Sequence, residues 1–455
     1  MRSPRGLSRR RFVSRGATAA AACAAPWFIP ASALGLAEKP APSNRVAVGM
    51  IGLGRQALGR NLPVFMNSAD CQVVALCDVD RWRLDPTVNP LMRSAAKQHG
   101  WSLDRLAGCF RTTDFRQVLA RQDVDAVLIS TPDHWHVPIA LAAIRAGKDV
   151  ACEKPIGLCI AHGRILADAA ARSKCVFRTD SEFRSVPVMF RAVSLVRTGK
   201  IGQLRTMRMA VPCWNLPLPM QPEMPVPEEL DYDLWLGPAP ARPYTEQRVH
   251  PRKAYSRPGW YANQDYCDGV ISNWGYHPAD IAQWANNTER SGPVEIEGRG
   301  EFPPADGLWN VMLGFEVRYR YANGVELHYT AVKDPTNSSG AYVRFEGTEG
   351  WIHAHYGPDT LEAEPKSILT ATINPADFPF PLKNEKRDFI DCVKTRARTL
   401  EDAEVGHRSS TVGQLGYLAC RLARKLTWDP AREHFVGDPE ADRLLTRPMR
   451  SPWLV

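Results

Sequence analysis

Two glycines and two later carboxylate-bearing segments have the spacing to hold a dinucleotide. The apolar run Val46-Ala47-Val48-Gly49-Met50-Ile51 leads straight into Gly52-Leu53-Gly54-Arg55-Gln56-Ala57. This is a G-x-G-x-x-A spacing set between a strand and the start of a helix. Gly52 permits the tight turn, Gly54 lets the backbone approach a pyrophosphate, and Ala57 is small enough for close helix–strand packing. The backbone at Arg55 and Gln56 opens the helix, where unpaired N–H groups receive an anion. Asp78 closes the next apolar run, Gln72–Cys77. A carboxylate there accepts hydrogen bonds from ribose hydroxyls and repels a 2′-phosphate, which favours NAD over NADP. Arg81 and Arg83 lie close enough to blunt that preference.

Further along stand Thr131-Pro132-Asp133-His134-Trp135-His136 and Cys152-Glu153-Lys154-Pro155. The first follows a wholly apolar strand at its carboxyl end, where open α/β sheets bind ligands. His134 and His136 at i, i+2 have no third ligand at metal-binding spacing, so no metal is expected. A third stretch runs Asp268-Gly269-Val270-Ile271-Ser272-Asn273-Trp274-Gly275-Tyr276-His277-Pro278-Ala279-Asp280. A histidine titrating near 6.5 is suited to accept a hydroxyl proton.

Taken together, the glycine turn and Glu153-Lys154-Pro155 resemble the Gfo/Idh/MocA oxidoreductases. That resemblance implies that Thr131, Pro132, His134 and Glu153 lie near the cofactor. It also implies that Lys154 reaches the nicotinamide ribose and the reacting oxygen, with Pro155 fixing the turn, often as a cis bond. An ammonium at that point stabilises a developing alkoxide. His277 matches the family's general base in an Asp-x-x-x-His pattern. The usual Asp is Asn273 here, and Asp280, one turn along, is expected to supply part of the missing charge. In Asp180-Ser181-Glu182-Phe183-Arg184-Ser185, relatives tend to have Gly and Gln at 180 and 182. Glu182 is therefore expected to face the substrate, while Arg184 either clamps a carboxylate or pairs with Glu182. Trp214, Trp235, Tyr244, Trp260 and Tyr261 sit on loops, where aromatic rings stack on sugars or anchor the loop.

Apolar strands alternating with amphipathic helices must position these groups. The expected order is strand Val46–Ile51, helix Arg55–Phe65, strand Gln72–Cys77, helix Leu91–His99, helix Phe115–Ala120, strand Ala126–Ser130, helix Pro138–Ala146 and strand Asp149–Cys152. This is the grammar of a parallel sheet buried on both faces, a Rossmann domain over residues 44–156. Beyond it, helices at Ala161–Arg172 and Val188–Thr198 precede strands at Leu204–Pro212, Val294–Phe302, Asn310–Ala322, Val325–Val332 and Ala341–Gly347. Several alternate apolar and polar residues, so residues 157–455 are expected to form an α+β domain with a large, open-faced, mostly antiparallel sheet. In the family that open face makes a dimer or tetramer. A Pro-rich excursion, Pro212–Pro227, interrupts the second half.

Ser8-Arg9-Arg10-Arg11-Phe12-Val13, the apolar run Ala17–Ile29 and Ala31-Ser32-Ala33 read as a twin-arginine export signal over residues 1–37. That run is too short for a membrane span, which needs about 20 residues. The chain of 455 residues carries a net charge of +8, and residues 1–37 hold six arginines and no acid. Without them the charge falls to about +2, with no concentrated basic run, so nucleic acid is not an expected partner. The 11 cysteines include no C-x-x-C.

The expectation is an exported, periplasmic oxidoreductase that uses tightly bound NAD on a sugar, polyol or glycoside hydroxyl. Free NAD is scarce outside the cytoplasm, so the cofactor would be loaded before export and recycled in place. The alternatives are redox-assisted glycoside cleavage and a non-catalytic carbohydrate-binding protein on the same scaffold.

Overall fold

The computed structural model describes residues 40–41, 44–213, 215–256, 259–332 and 340–455. The expected signal peptide and Trp214 lie outside them. Met1–Arg45 and Val46–Val455 are separate compact units. In the first, Arg45 Nε donates to the Pro40 carbonyl at 2.8 Å. The second holds both sheets.

Six strands, β1 (Val46–Ile51), β2 (Cys71–Cys77), β3 (Phe110–Thr112), β4 (Ala126–Ile129), β5 (Asp149–Glu153) and β6 (Phe177–Asp180), pair in the order β3-β2-β1-β4-β5-β6. Every pairing is parallel. Successive residues point to opposite faces: Met50, Leu76 and Leu128 pack into one core, Ile51, Cys77 and Ile129 into another. A sheet buried on both sides needs such continuous apolar runs. β6 lies beyond Pro155, where the alternation read from the sequence stops. The strand order reverses between β1 and β4, and the crevice at a reversal is where such sheets take ligands.

The helix expected at Arg55–Phe65 has an irregularity. It contains a π-helical stretch, Ala57–Asn61, followed by α-helix Leu62–Asn67. Wide turns of this kind often occur at functional sites. Here Asn61 is fully buried, and its amide donates to Glu153 Oε1 at 2.9 Å and to Ser130 Oγ at 3.1 Å.

The second sheet contains β7 (Leu204–Pro212), β8 (Pro293–Glu301), β9 (Gly314–Tyr321), β10 (Glu326–Val332), β11 (Tyr342–Gly347), β12 (Trp351–His355), β13 (Leu361–Glu364), β14 (Leu426–Asp429) and β15 (His434–Phe435). Their order is β13-β12-β11-β7-β10-β9-β8-β14-β15. β7 and β10 run parallel, and the other pairs are antiparallel. On β9, Phe315, Val317, Tyr319 and Tyr321 face a core shared with helices Pro187–Arg197, Tyr276–Ala285 and Ala403–Leu422. Glu316, Arg318 and Arg320 point to the open side.

Between the sheets, the Pro-rich excursion returns to the end of β2. Arg81 N donates to Glu229 O and Asp231 N to Val79 O, both at 2.9 Å. A short helix, Tyr232–Leu236, follows. Trp135 Nε1 donates to the carbonyls of Leu234 and Trp235 at 3.1 Å, tying that helix to the loop after β4.

Candidate active site

Gly52 sits at φ +88°, and a Cβ there would lie 2.6 Å from the Ser130 carbonyl oxygen. Only glycine fits a left-handed turn this close to a neighbouring backbone. Asp78 fixes the same turn: its Oδ2 accepts from Leu53 N at 2.7 Å and its Oδ1 from Asp80 N at 2.9 Å. Burial raises its carboxyl above the ordinary range. Arg83 stands beside it, with its guanidinium 4.9 Å from the Tyr255 ring centroid and 3.6 Å from Asp80 Oδ2.

One cavity of about 500 Å³ is lined by Gly52, Gly54, Arg55, Gln56 and Asp78, and also by Lys154, Asn273 and His277. Thr131, Pro132, Glu153, Glu182 and Trp235 line it too, along with Trp260 and Tyr261. The strained glycine cradle, the opening of the helix and the strand-terminal Asp78 fit a dinucleotide pyrophosphate and ribose.

Lys154 follows β5 across a cis bond to Pro155. Its Nζ donates to Asn273 Oδ1 at 2.8 Å and to the Asn273 carbonyl at 3.1 Å. His277, in the first turn of helix Tyr276–Ala285, stacks on Phe183 with ring centroids 4.6 Å apart. Its Nδ1 lies 2.9 Å from Ser181 Oγ, leaving Nε2 for the cavity. Burial, then Lys154, then Lys386 push its pKa well below 6.5, so the imidazole is neutral near pH 7. Glu153 behaves oppositely: burial and Asp180 raise its carboxyl.

Four expected site residues belong elsewhere. His134 is absent from the cavity lining; its Nε2 meets the Trp235 carbonyl at 3.1 Å, and burial lowers its pKa to about 3. His136, two residues on, lines the cavity instead, with its ring nitrogens at the carbonyls of Pro155 (2.7 Å) and Thr131 (2.9 Å). Arg184 does not line the cavity and does not pair with Glu182. It is 2 % exposed and bound bidentately by Asp280 at 2.6 and 2.7 Å. That pair consumes the charge of Asp280, which also accepts from Ser409 at 3.0 Å, so Asp280 does not serve His277. Tyr244 does not line the cavity; it packs edge-on against Tyr232 in the buried cluster behind Trp235.

The sequence reading missed Trp274, Ser181, Asp133 and Tyr356. Trp274 and Tyr356 line the cavity, their ring centroids 5.8 Å apart, and Tyr356 Oη donates to Glu182 Oε1 at 2.9 Å. Among the described residues no cluster of His, Cys, Asp or Glu could hold a metal, and no helix is long and apolar enough to cross a membrane.

This cradle, joined to Lys154 and His277 in one cavity, agrees with two family matches. Residues 46–181 match the Gfo/Idh/MocA oxidoreductase family, NAD-binding Rossmann fold, and residues 214–455 match its C-terminal alpha/beta domain. The chain belongs to the Gfo/Idh/MocA oxidoreductase family. A Glycosyl hydrolase family 109 protein of Shewanella pealeana is 26 % identical over 211 residues, a match spanning 44 % of this chain and 44 % of that relative. The chain thus matches less than half the length of this curated relative. Among solved structures, the aldose-aldose oxidoreductase from Caulobacter crescentus complexed with glycerol superposes with a TM-score of 0.60 at 19 % identity, covering 84 % of this chain and 99 % of that one. The WlbA dehydrogenase from Bordetella pertussis, in complex with NADH and UDP-GlcNAcA, gives 0.60 at 13 % identity, covering 85 % and 99 %. At these identities the likeness is one of fold.

Proposed function

We propose that this family member is an NAD-dependent oxidoreductase acting on a hydroxyl of a sugar, polyol or glycoside. The observation that carries the reading is the shared cavity, which has a dinucleotide cradle in its walls together with an ammonium and a neutral imidazole. Bound NAD would accept a hydride at its nicotinamide. Neutral His277, with Nδ1–H directed at Ser181, takes the hydroxyl proton at Nε2. Lys154 holds the developing oxyanion by a charge-assisted hydrogen bond. Trp274 and Tyr261 offer ring faces to a sugar, and Glu182 accepts from its hydroxyls. Asp78 favours NAD over NADP, and Arg83 is already matched by Asp80.

The same reading extends to the whole protein. It is exported by the twin-arginine route with its cofactor already bound, and it pairs into a dimer or tetramer through the open face of the nine-stranded sheet. The partner is a small carbohydrate rather than nucleic acid. The family 109 relatives favour a second reading in which oxidation is the first step of a glycoside cleavage. Product analysis separates the two: one yields an oxidised sugar, the other a released aglycone.

The test is to mix NAD-loaded protein with a panel of sugars and glycosides and follow absorbance of reduced nicotinamide. Turnover that disappears in Lys154→Ala and His277→Ala, with NAD still bound, supports the reading. A wild-type protein that holds NAD and sugar but shows neither a redox change nor a released aglycone with any substrate would leave a carbohydrate-binding protein.

A further inference from the structure

Asn273 has two different neighbours at its two ends. Its Oδ1 accepts from Lys154 Nζ at 2.8 Å, while its Nδ2 donates to both oxygens of Asp133, at 2.9 and 3.0 Å. The amide has one orientation here, because an ammonium only donates and a carboxylate only accepts. Asp133 comes from the loop after β4, Lys154 from the turn after β5, and Asn273 from the segment before helix Tyr276–Ala285. Asp133 is 2 % exposed and lines the cavity. No salt bridge joins it directly to a lysine or arginine among the described residues; its other side-chain partner is the Cys267 thiol. Burial raises its carboxyl, and the neighbouring His136, the Asn273 amide, the Lys154 ammonium and the Cys267 thiol work against that rise.

We propose that Asp133 is a positioning residue whose carboxylate, acting through the Asn273 amide, orients the Lys154 ammonium at the reacting oxygen. The inference rests on the reading that Lys154 acts there. It explains why a neutral amide stands at 273: the negative charge has moved one side chain outward, and the amide relays it. A carboxylate at 273 would face the Asp133 oxygens at hydrogen-bond distance, where two like charges cannot both ionise.

A charge swap tests the relay. N273D puts two carboxylates side by side and is expected to lower kcat by up to about 100-fold. The double variant D133N/N273D restores one carboxylate and one amide, with Cys267 free to donate to the amide oxygen at 133. It is expected to recover kcat to within a few-fold of wild type. D133N alone keeps a hydrogen-bond acceptor for Asn273 but removes the charge, so kcat should fall about tenfold with NAD occupancy and Tm maintained. If Asp133 were merely structural, D133N would keep wild-type kcat, and that result would overturn the proposal. So would a double variant no more active than N273D. K154A, run in parallel, separates the two claims. If K154A retains turnover, the role given to Lys154 fails; if K154A is inactive while D133N and N273D are fully active, the relay alone fails.

Discussion

His277 Nδ1 and Ser181 Oγ lie 2.9 Å apart, so a hydroxyl at the end of β6 holds the ring of a helix-borne histidine. With the ring proton directed at Ser181, the lone pair stays on Nε2. Ser181→Ala is expected to lower kcat about tenfold, within the span of a general-base contribution, and to leave bound NAD unchanged. An unchanged kcat would assign the ring's orientation to its stacking on Phe183.

Glu182 and Tyr356 meet at 2.9 Å on the cavity wall. Glu182→Gln should raise KM for the sugar by about tenfold, the worth of a hydrogen bond to a charged group, with little change in kcat. Steady-state kinetics distinguish this from a loss in kcat alone.

His134 makes a stability prediction with a definite sign. Folded, it titrates near 3; unfolded, near 6.5. The unfolded chain therefore binds the extra proton, and stability falls as pH drops from about 6.5 toward 3. Between pH 7 and pH 5 this one group should remove about 2 kcal/mol. Urea midpoints of His134→Gln should fall less across that interval than those of wild type, even though the variant is less stable at pH 7. Parallel curves would mean the histidine is protonated in the fold.

Asp280 and Arg184, bonded at 2.6 and 2.7 Å, are both essentially buried. Removing Asp280 leaves the buried guanidinium only a 3.5 Å contact with Glu289 and a hydrogen bond to the Leu400 carbonyl, and breaking such a buried pair costs about 3–5 kcal/mol. Asp280→Ala should thus lower stability by that order in denaturant titration. Its residual folded fraction should keep the wild-type KM for sugar. A changed KM at full stability would return Asp280 to the substrate.

The cofactor half of the site was legible because its determinants are local. Gly52, Gly54 and Ala57 fall within six residues, and Asp78 ends the next strand, so one βαβ unit contains the pattern. The half proposed to handle the proton was legible only as far as a contiguous segment carried it. Lys154 and His277 stood out in their motifs, but the partners that the structure gives them did not. Ser181 reaches His277 across 96 positions, and Asp133 reaches Asn273 across 140. Tyr356 follows an edge-side strand, β12, with no motif around it. Asp280 and Arg184 each looked available in sequence, because nothing local says that they find each other. The helix Ala403–Leu422 escaped because its buried surface includes His407, Ser409, Ser410, Thr411 and Gln414, which blur the apolar period.

The most direct measurement is mass spectrometry of small molecules released by denaturing the purified protein. NAD or NADH is expected at close to one per chain, lost in Gly52→Ala, where the added Cβ meets the Ser130 carbonyl. A protein that releases no nicotinamide dinucleotide, and binds neither NAD nor NADP when these are added, would contradict the proposed NAD-dependent activity.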